Sequence, residues 1–372
     1  MTTSPEHMKH ALRLARKAWG MTSPNPAVGA VIVKDGVVVG EGFTQPPGGA
    51  HAEVVALAQA GSKAKGATMY VSLEPCCPPK SGHTPPCTNA IIDAGISEVM
   101  FALRDPNPQV DGKGKEALEA AGIKTLEGDC AEDCREINEA YFKYITTGLP
   151  FIIAKFAMSL DGKLATWTGD SQWISGAESR TFSLRLRKQV DAVMVGVNTV
   201  IRDDPRLTAR VDDTIVKTPL RVIVDSHGRT PASARCLKEP GSTLLAIAHP
   251  LPPPIRKALI SAGAETLELP AREGNVEIRE LLKALGKRQV TSVLVEGGGT
   301  LLGSFFDYKL VDKVYTFIAP LIIGGKDATS PVQGKGVDTI DKALRLIKPR
   351  LYRIGEELLA VAYTKDMEAT SE

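Results

Sequence analysis

The chain has 372 residues, enough for two domains that each bury a hydrophobic core. It is 43% hydrophobic and 24% charged, as globular proteins are, and its net charge of +2 excludes a polyanion-binding surface over the whole molecule. Six cysteines are too few for a disulfide scaffold and indicate reduced thiols. Neither a signal peptide nor an apolar run of the ~18 residues that a membrane span needs is visible. We therefore expect a cytoplasmic protein that binds neither nucleic acid nor membranes.

The first part of the chain alternates helix and strand patterns. The segments Val28–Val33 and Val37–Phe43 predict a hairpin around Asp35-Gly36. The other predicted elements are helices over Pro5–Trp19, His51–Gln59, Thr88–Ala94, Glu116–Ala121 and Asp129–Ile145, and strands over Met69–Leu73 and Val99–Leu103. This order is typical of an α/β domain.

A metal-ligand pattern lies inside this first part. His51, Cys76 and Cys87 supply one imidazole and two thiolates, a set that binds zinc tetrahedrally and leaves the fourth position open. Water in that position becomes a nucleophile near neutral pH. Glu53, two residues after the histidine, is placed to carry a proton from that water to a leaving amine. The pattern predicts a zinc-dependent deaminase.

Two other readings of the cysteines stay open. The ligand cysteines of nucleobase deaminases usually form a C-x-x-C pair, whereas ten residues separate Cys76 from Cys87, and Cys77 is an alternative ligand. A purely structural zinc site is also conceivable, although it would want a fourth protein ligand. Cys130 and Cys134, one helical turn apart, are interpreted as helix residues and not as a second metal site.

Gly148-Leu149-Pro150 interrupts the pattern and predicts a domain boundary, with domains at 1–147 and 148–372. The second part predicts a helix over Ala177–Lys188 and a mostly parallel sheet. Its predicted strands are Phe151–Met158, Ala192–Gly196, Leu220–Val224, Thr243–Ala248, Glu265–Leu269, Ser292–Val295 and Lys313–Ile318. The triplet Gly297-Gly298-Gly299 follows a strand and opens a helix from Thr300, a place where backbone N–H groups can approach a cofactor phosphate.

Taken in order, the motifs of the chain resemble those of the bifunctional riboflavin-biosynthesis deaminase/reductase family. In the first part they are Pro24-Asn25-Pro26-Ala27-Val28-Gly29, His51-Ala52-Glu53, Leu73-Glu74-Pro75-Cys76-Cys77, Thr84-Pro85-Pro86-Cys87 and Arg104-Asp105-Pro106-Asn107-Pro108. In the second part they are Ser159-Leu160-Asp161-Gly162-Lys163, Gly169-Asp170-Ser171-Gln172-Trp173-Ile174, Asp203-Asp204-Pro205-Arg206-Leu207-Thr208 and Val295-Glu296-Gly297-Gly298-Gly299. The resemblance covers nearly the whole chain.

The resemblance implies a cytidine-deaminase-like α/β/α domain followed by a dihydrofolate-reductase-like α/β domain. The first would remove the 2-amino group of 2,5-diamino-6-ribosylamino-4(3H)-pyrimidinone 5′-phosphate with the help of zinc. The second would use NADPH to reduce the ribosyl group of 5-amino-6-(5-phosphoribosylamino)uracil to ribityl. It also implies a homo-oligomer formed through the reductase domain.

Site residues follow from the matching positions. Deaminase substrate contacts are expected at Asn25, Asp105 and Asn107, although Asn-Pro turn chemistry explains such residues equally well. Cofactor contacts are expected at Ala157, Trp173, Thr199, Asp203, Ser226, Gly297, Gly298 and Gly299. Reductase substrate contacts are expected at Lys155, Ser171, Arg187, Leu207, Arg210 and Glu296. The two arginines suit a phosphate, which a guanidinium binds bidentately.

Two departures from the family pattern concern the deaminase substrate. The family usually has a histidine where this chain has Thr44, and the loop between Cys76 and Cys87 is longer than usual. Lys80 and His83 are candidates for the missing polar contacts. A reductase with a weakened deaminase is therefore one alternative. A tRNA deaminase and a non-catalytic zinc-stabilised NADPH sensor are two others, but the first leaves the residues after Pro150 without a role and the second has no need of Glu53.

Overall fold

The computed structural model describes residues 5–77 and 85–366. The chain divides into two compact units, Met1–Gly148 and Leu149–Glu372, whereas the sequence predicts the boundary one residue earlier. Within the described residues, no helix combines the length and the apolar character that crossing a membrane requires.

The first unit is built around one five-stranded sheet. Its elements are α1 (Pro5–Ala18), β1 (Gly29–Lys34), β2 (Val37–Phe43), α2 (Ala52–Ala60), β3 (Thr68–Val71), α3 (Cys87–Asp93), β4 (Glu98–Phe101), α4 (Lys113–Ala120), β5 (Lys124–Glu127) and α5 (Ala131–Thr147). The strand order is β2-β1-β3-β4-β5. Strand β1 is antiparallel to β2 and to β3, while β3, β4 and β5 are parallel.

Helices cover both faces of this sheet because glycines let them approach closely. A Cβ atom on Gly42 would lie 2.5 Å from the carbonyl oxygen of Ala52, and one on Gly40 would lie 2.3 Å from that of Ala56, so both glycines face α2. Gly42 pairs with Ala30 of β1, and successive strand residues face opposite sides. Gly29 accordingly faces α1 on the other side of the sheet. The first unit is therefore a three-layer α/β/α structure.

The second unit contains a nine-stranded sheet. Its elements are β6 (Phe151–Ser159), α6 (Ala177–Gln189), β7 (Ala192–Gly196), α7 (Val197–Asp203), β8 (Ala209–Val211), β9 (Thr214–Lys217), β10 (Leu220–Val224), α8 (Arg235–Lys238), β11 (Thr243–Ile247), α9 (Pro253–Ser261), β12 (Ala264–Glu268), β13 (Ala271–Arg272), β14 (Asn275–Val276), α10 (Ile278–Lys287), β15 (Ser292–Val295), α11 (Gly299–Asp307), β16 (Lys313–Ala319), β17 (Ile347–Ile354) and β18 (Glu357–Tyr363).

The order of the large sheet is β12-β11-β10-β7-β15-β6-β16-β18-β17. The strands from β12 to β16 are parallel, which confirms the predicted parallel sheet, and β18 and β17 extend it with antiparallel pairs. The carboxyl ends of the parallel strands therefore meet along one edge, where α/β proteins bind ligands.

Several strands were not predicted, and their burial explains why. In β5 only Thr125 is buried, and in β17 every residue from Lys348 to Arg353 is exposed, so neither segment alternates apolar and polar residues. The antiparallel strand β18 and the two small hairpins, β8-β9 and β13-β14, were also missed. The predicted helix at His51 begins one residue later, with His51 as its cap, and the strand expected to end at Leu73 ends at Val71.

Candidate zinc and dinucleotide sites

Three side chains converge in the first unit to form a potential metal site. His51 caps the N-terminus of α2, Cys87 is the first residue of α3, and Cys76 follows β3. His51 Nδ1 lies 3.6 Å from the Sγ atom of Cys76 and 3.2 Å from that of Cys87. Because zinc takes these ligands at about 2.0–2.3 Å, one ion fits among the three atoms. The residues thus offer an open three-ligand zinc site.

The electrostatics of the three ligands favour a cation. Hydrogen bonds from the Cys87 thiol and from His51 hold the pKa of the Cys76 thiol below its ordinary value. The hydrogen bond to Cys76 raises the pKa of His51 to about 9, and the hydrogen bond to Cys76 together with burial raises the pKa of the Cys87 thiol. Without a metal ion, His51 and Cys87 therefore hold protons. A metal ion that binds to these side chains would displace those protons.

Glu53 lies in the first turn of α2 beside these ligands. Only 4% of its surface is exposed. Burial and the nearby Cys76 thiolate outweigh the opposing effect of His51 and raise the pKa of Glu53 to about 7. A carboxyl group with a pKa near neutrality both accepts and donates protons at physiological pH. This is the property that a proton shuttle requires.

The residues expected to contact the deaminase substrate are mostly engaged within the protein. The hydroxyl group of Tyr141 donates to both carboxylate oxygens of Asp105, at 3.0 and 3.1 Å, and the backbone N–H of Asn107 donates to one of them at 2.9 Å. Burial raises the pKa of Asp105 to about 6. The side-chain oxygen of Asn107 accepts from the N–H of Gln109, and Asn25 lies exposed in a backbone turn. Turn chemistry thus accounts for part of this motif.

Two residues that support this loop were given no role by the sequence analysis, although Glu74 belongs to one of its motifs. Glu74 is buried, and its carboxylate accepts backbone N–H groups of Asp105, Gly112 and Lys115 at 3.0–3.3 Å. Tyr141 reaches the same loop from α5, 36 residues away in sequence. The Glu74-Pro75-Cys76 motif thus joins the zinc ligand to the scaffold of the substrate loop.

The structure shows where two of the other cysteines and Thr44 lie relative to the zinc ligands. Cys77 is buried with its Sγ atom 3.9 Å from the carbonyl oxygen of Gln109, outside the ligand group. Cys134 donates to the carbonyl oxygen of Ser72 at 2.7 Å. Thr44 is buried, and its hydroxyl oxygen is paired with the backbone of Val28. Lys80 and His83 lie outside the described residues.

In the second unit, a network of charged groups lies at the carboxyl end of the sheet. Arg187 donates through Nε and Nη2 to Glu296 at 2.9 and 2.7 Å, and through Nη1 to the carbonyl oxygen of Thr208 at 3.1 Å. Burial lowers the pKa of Lys155 and of Arg210. Arg210 Nε, Glu296 Oε1 and Thr208 Oγ1 are buried without a hydrogen-bond partner. Arg210 Nε is a donor that an anionic ligand would satisfy, and Glu296 Oε1 is an acceptor that a ligand hydroxyl group would satisfy.

The glycine triplet is shaped for close backbone approach. Gly297 and Gly298 have φ values of +113° and +81°, which L side chains rarely adopt. A Cβ atom on Gly298 would lie 3.5 Å from the hydroxyl oxygen of Thr199. A Cβ atom on Gly299 would lie 2.8 Å from the carbonyl oxygen of Ser330, so close packing against that residue explains the third glycine. The triplet and Thr199, both expected to bind cofactor, therefore lie together.

The other expected cofactor residues lie on β6, at the end of α7 and after β10. Ser226 follows β10, and its hydroxyl oxygen accepts from the N–H of Val276 at 3.1 Å. Asp203 ends α7, and burial raises its pKa. Ala157 lies half-buried on the central strand β6. Leu207, expected at the substrate, is buried, with only 1% of the whole residue exposed.

A cavity of about 500 Å³ lies beside Trp173. Trp173 is exposed, with the guanidinium group of Arg180 4.7 Å above its ring, and Ser171 precedes it in the loop after β6. The carboxylate of Glu357 accepts from the N–H of Gly176 and the hydroxyl of Ser179, and these three residues line the cavity. Glu357 lies on β18, which the sequence pattern did not predict, so this support was also missed.

Together, the two sites define a two-part enzyme in which a zinc-dependent deaminase is joined to a reductase. Residues 150–360 match the profile of the RibD C-terminal domain, and residues 1–103 match that of the cytidine and deoxycytidylate deaminase zinc-binding region. The chain belongs to the RibD family of bifunctional deaminases and reductases of riboflavin biosynthesis.

Individual relatives support this assignment over nearly the full length. The riboflavin biosynthesis protein RibD of Aquifex aeolicus is 44% identical over 353 residues, which cover 95% of this chain and 96% of that protein. The structure of Acinetobacter baumannii RibD is similar with a TM-score of 0.87, at 34% identity over 97% of this chain and 99% of that one. A deaminase/reductase structure from Thermotoga maritima has a TM-score of 0.83 at 34% identity, covering 96% and 98% of the two chains. These findings favour the two-enzyme interpretation over a tRNA deaminase or a sensor.

The ligand set is tested by replacing each adjacent cysteine. We expect Cys76→Ser to lose bound zinc and Cys77→Ser to retain it, because of these two cysteines Cys76 is the one whose sulfur atom lies in the ligand group. Metal analysis of the purified variants measures this directly. Loss of zinc in Cys77→Ser with retention in Cys76→Ser would show that the neighbouring cysteine is the ligand.

Proposed function

We propose that the first unit hydrolyses the 2-amino group of 2,5-diamino-6-ribosylamino-4(3H)-pyrimidinone 5′-phosphate. The observation that carries this proposal is the buried Glu53 next to the converging His51, Cys76 and Cys87. When bound, zinc supplies Lewis acidity and activates water for attack on the carbon that bears the amine. Oxygen replaces nitrogen at that carbon, and the amine leaves as ammonia.

Glu53 manages the protons of this reaction. As a carboxylate it accepts a proton from the attacking water, and as a carboxylic acid it returns a proton to the departing nitrogen. A pKa near 7 makes both directions accessible at neutral pH. The pyrimidine and ribose contacts are assigned to Asn25, Asp105 and Asn107, with Tyr141 holding the Asp105 carboxylate in position. Because the zinc ligands and Glu53 are all in place, we favour an active deaminase over a weakened one.

Replacing Glu53 with glutamine tests the shuttle. We expect Glu53→Gln to keep zinc but to deaminate at least ~10²-fold more slowly, because an amide of the same shape cannot carry the proton. Release of ammonia from the diaminopyrimidine nucleotide measures the rate. Reduction of separately supplied deaminated nucleotide is the internal control and should be unchanged. A wild-type rate of deamination in this variant would refute the role.

The second unit is proposed to reduce the ribosyl group of the deaminated nucleotide to ribityl. NADPH supplies the hydride when bound, and the protein binds and orients both molecules. The cofactor contacts are assigned to Ala157, Trp173, Thr199, Asp203, Ser226 and the glycines 297–299. The substrate contacts are assigned to Lys155, Ser171, Arg187, Leu207, Arg210 and Glu296. Support comes from the unpaired buried polar atoms around Arg187, which suit the substrate phosphate and its sugar hydroxyls.

Arg187 offers a sharp test of this substrate site. We expect Arg187→Ala to raise the KM for the deaminated nucleotide by roughly tenfold or more, because a charge-assisted hydrogen bond contributes ~1.5–3 kcal/mol. The matched control is Arg185→Ala, an exposed arginine on the same helix. Steady-state rates of NADPH oxidation measure both variants. An unchanged KM in Arg187→Ala would remove this residue from the site.

A homo-oligomer formed through the second unit is also proposed. Strand β17 lies at the edge of the large sheet, and no residue of it is fully buried. Leu351 is 71% exposed and Tyr352 is 45% exposed on this strand, beside Leu358 of β18 at 46%. An edge strand that exposes apolar side chains is a common site for the association of two chains. A second copy of the chain would present the same exposed apolar strand, and the two strands could then pack against each other.

The mass in solution tests the oligomer. We expect light scattering to give a multiple of the 39.7 kDa chain mass, and Leu351→Lys to shift it toward the monomer by placing a charge in the interface. Ile260→Lys, at an exposed position on α9, is the control. A monomeric wild type at micromolar concentration would contradict the proposal. The cytoplasm is the proposed location, since its reducing conditions keep the two ligand thiols available.

A further inference from the structure

Two histidines at the carboxyl edge of the large sheet form a stacked pair that the proposed reaction does not use. His227 follows β10 and His249 follows β11, and these strands are parallel neighbours. Their rings are 5.4 Å apart between centroids and only 7° from parallel. Both side chains are exposed. The pair thus presents two imidazoles at the edge that also carries the glycine triplet.

The loop that bears His227 is held rigidly. Asp225 is fully buried, and its carboxylate accepts the backbone N–H groups of Arg229 and Thr230 at 2.9 and 2.7 Å and the hydroxyl of Thr230 at 2.7 Å. The N–H of Ala248 donates to the carbonyl oxygen of Ser226 at 3.1 Å, which joins the two loops. Because these hydrogen bonds fix the backbone of the loop, they also restrict the positions of its exposed side chains.

Arg229 extends the basic group toward the glycine triplet. Its Nη2 atom donates to the side-chain oxygen of Asn198 at 3.0 Å. Asn198 directly precedes Thr199, which faces the glycines. Across residues 5–77 and 85–366, no carboxylate forms an ion pair with Arg229, His227 or His249. These three basic side chains lie on two joined loops, carry no counter-ion from the described chain, and are here called the basic cluster.

Ring geometry argues against a metal as the ligand of this cluster. Imidazole nitrogens carry their lone pairs in the plane of the ring, so two parallel stacked rings do not direct them at one point. Among the described residues, the group that brings three or more potential ligand atoms together is that of His51, Cys76 and Cys87. An anion that lies across the ring edges and the guanidinium group fits the cluster better.

We propose that Arg229, His227 and His249 bind the phosphate on the adenosine ribose of the cofactor and so select NADPH over NADH. This inference rests on the proposed cofactor site. With the pyrophosphate at the glycine triplet after β15, the end of β10 lies two strands away, on the order of 10 Å. An adenosine extends about that distance. Ser226, an assigned cofactor contact, immediately precedes His227.

The experiment compares the two cofactors on the full-length enzyme. KM and kcat for NADPH and for NADH are measured with the deaminated nucleotide, for the wild type, Arg229→Gln and the double variant His227→Gln/His249→Gln. We expect each variant to raise the KM for NADPH by about tenfold or more and the KM for NADH by less than about twofold. Lys257→Gln, which removes an exposed positive charge from α9, is the control and should change neither.

Binding of cofactor fragments separates the possible outcomes. By calorimetry, 2′,5′-ADP should bind the wild type more tightly than 5′-AMP, and the variants should lose this difference. Equal increases of KM for both cofactors would indicate a structural role and overturn the inference, as would unchanged selectivity. If the wild type oxidised neither cofactor, the proposed reductase function would be refuted instead. The binding of 2′,5′-ADP and 5′-AMP would still show whether the basic cluster recognises the 2′-phosphate.

Discussion

Parallel strand pairing determines where the chemistry of both units lies. Parallel strands share one carboxyl edge, so residues that follow different strands meet there although they are distant in sequence. In the first unit, β3 leads to Cys76 and its parallel neighbour β4 leads to Asp105. In the second unit, β15 and β7 lead to the glycine triplet and to Thr199. The two sites differ in chemistry, but the same geometric constraint assembles both.

Close packing on glycine then fixes the position of Glu53, the proposed proton shuttle. The helix that carries Glu53 approaches the sheet at Gly40 and Gly42, where a single added carbon would overlap backbone oxygen atoms. Because interiors are packed to near-crystalline density, such an overlap would displace the helix. His51 caps that helix, so its position and that of Glu53 are set together. Gly40 and Gly42 thus shape the candidate site through the helix against which they pack.

The sequence was most informative where chemistry restricts the residue type. An imidazole and two thiols near a glutamate have few other uses, and the structure brings His51, Cys76 and Cys87 together as expected. Supporting residues were not predictable in the same way. Tyr141 contacts a residue 36 positions away, and Glu357 contacts one 181 positions away. A local sequence pattern cannot predict contacts between residues so far apart. Strand β17 was missed because it is exposed and lacks the alternation that a half-buried strand shows.

Buried charge provides the final link between structure and function in the second unit. Lys155, Arg187 and Glu296 are partly buried, and burial lowers the pKa of the lysine. Burying charged groups costs free energy that their mutual contacts often fail to offset. Glu296 and Thr208 each keep a buried polar atom without a partner, which adds to that cost. Folding alone gives no reason for such an arrangement. A ligand that carries phosphate and hydroxyl groups would give these atoms hydrogen-bond partners, which supports the proposed substrate site.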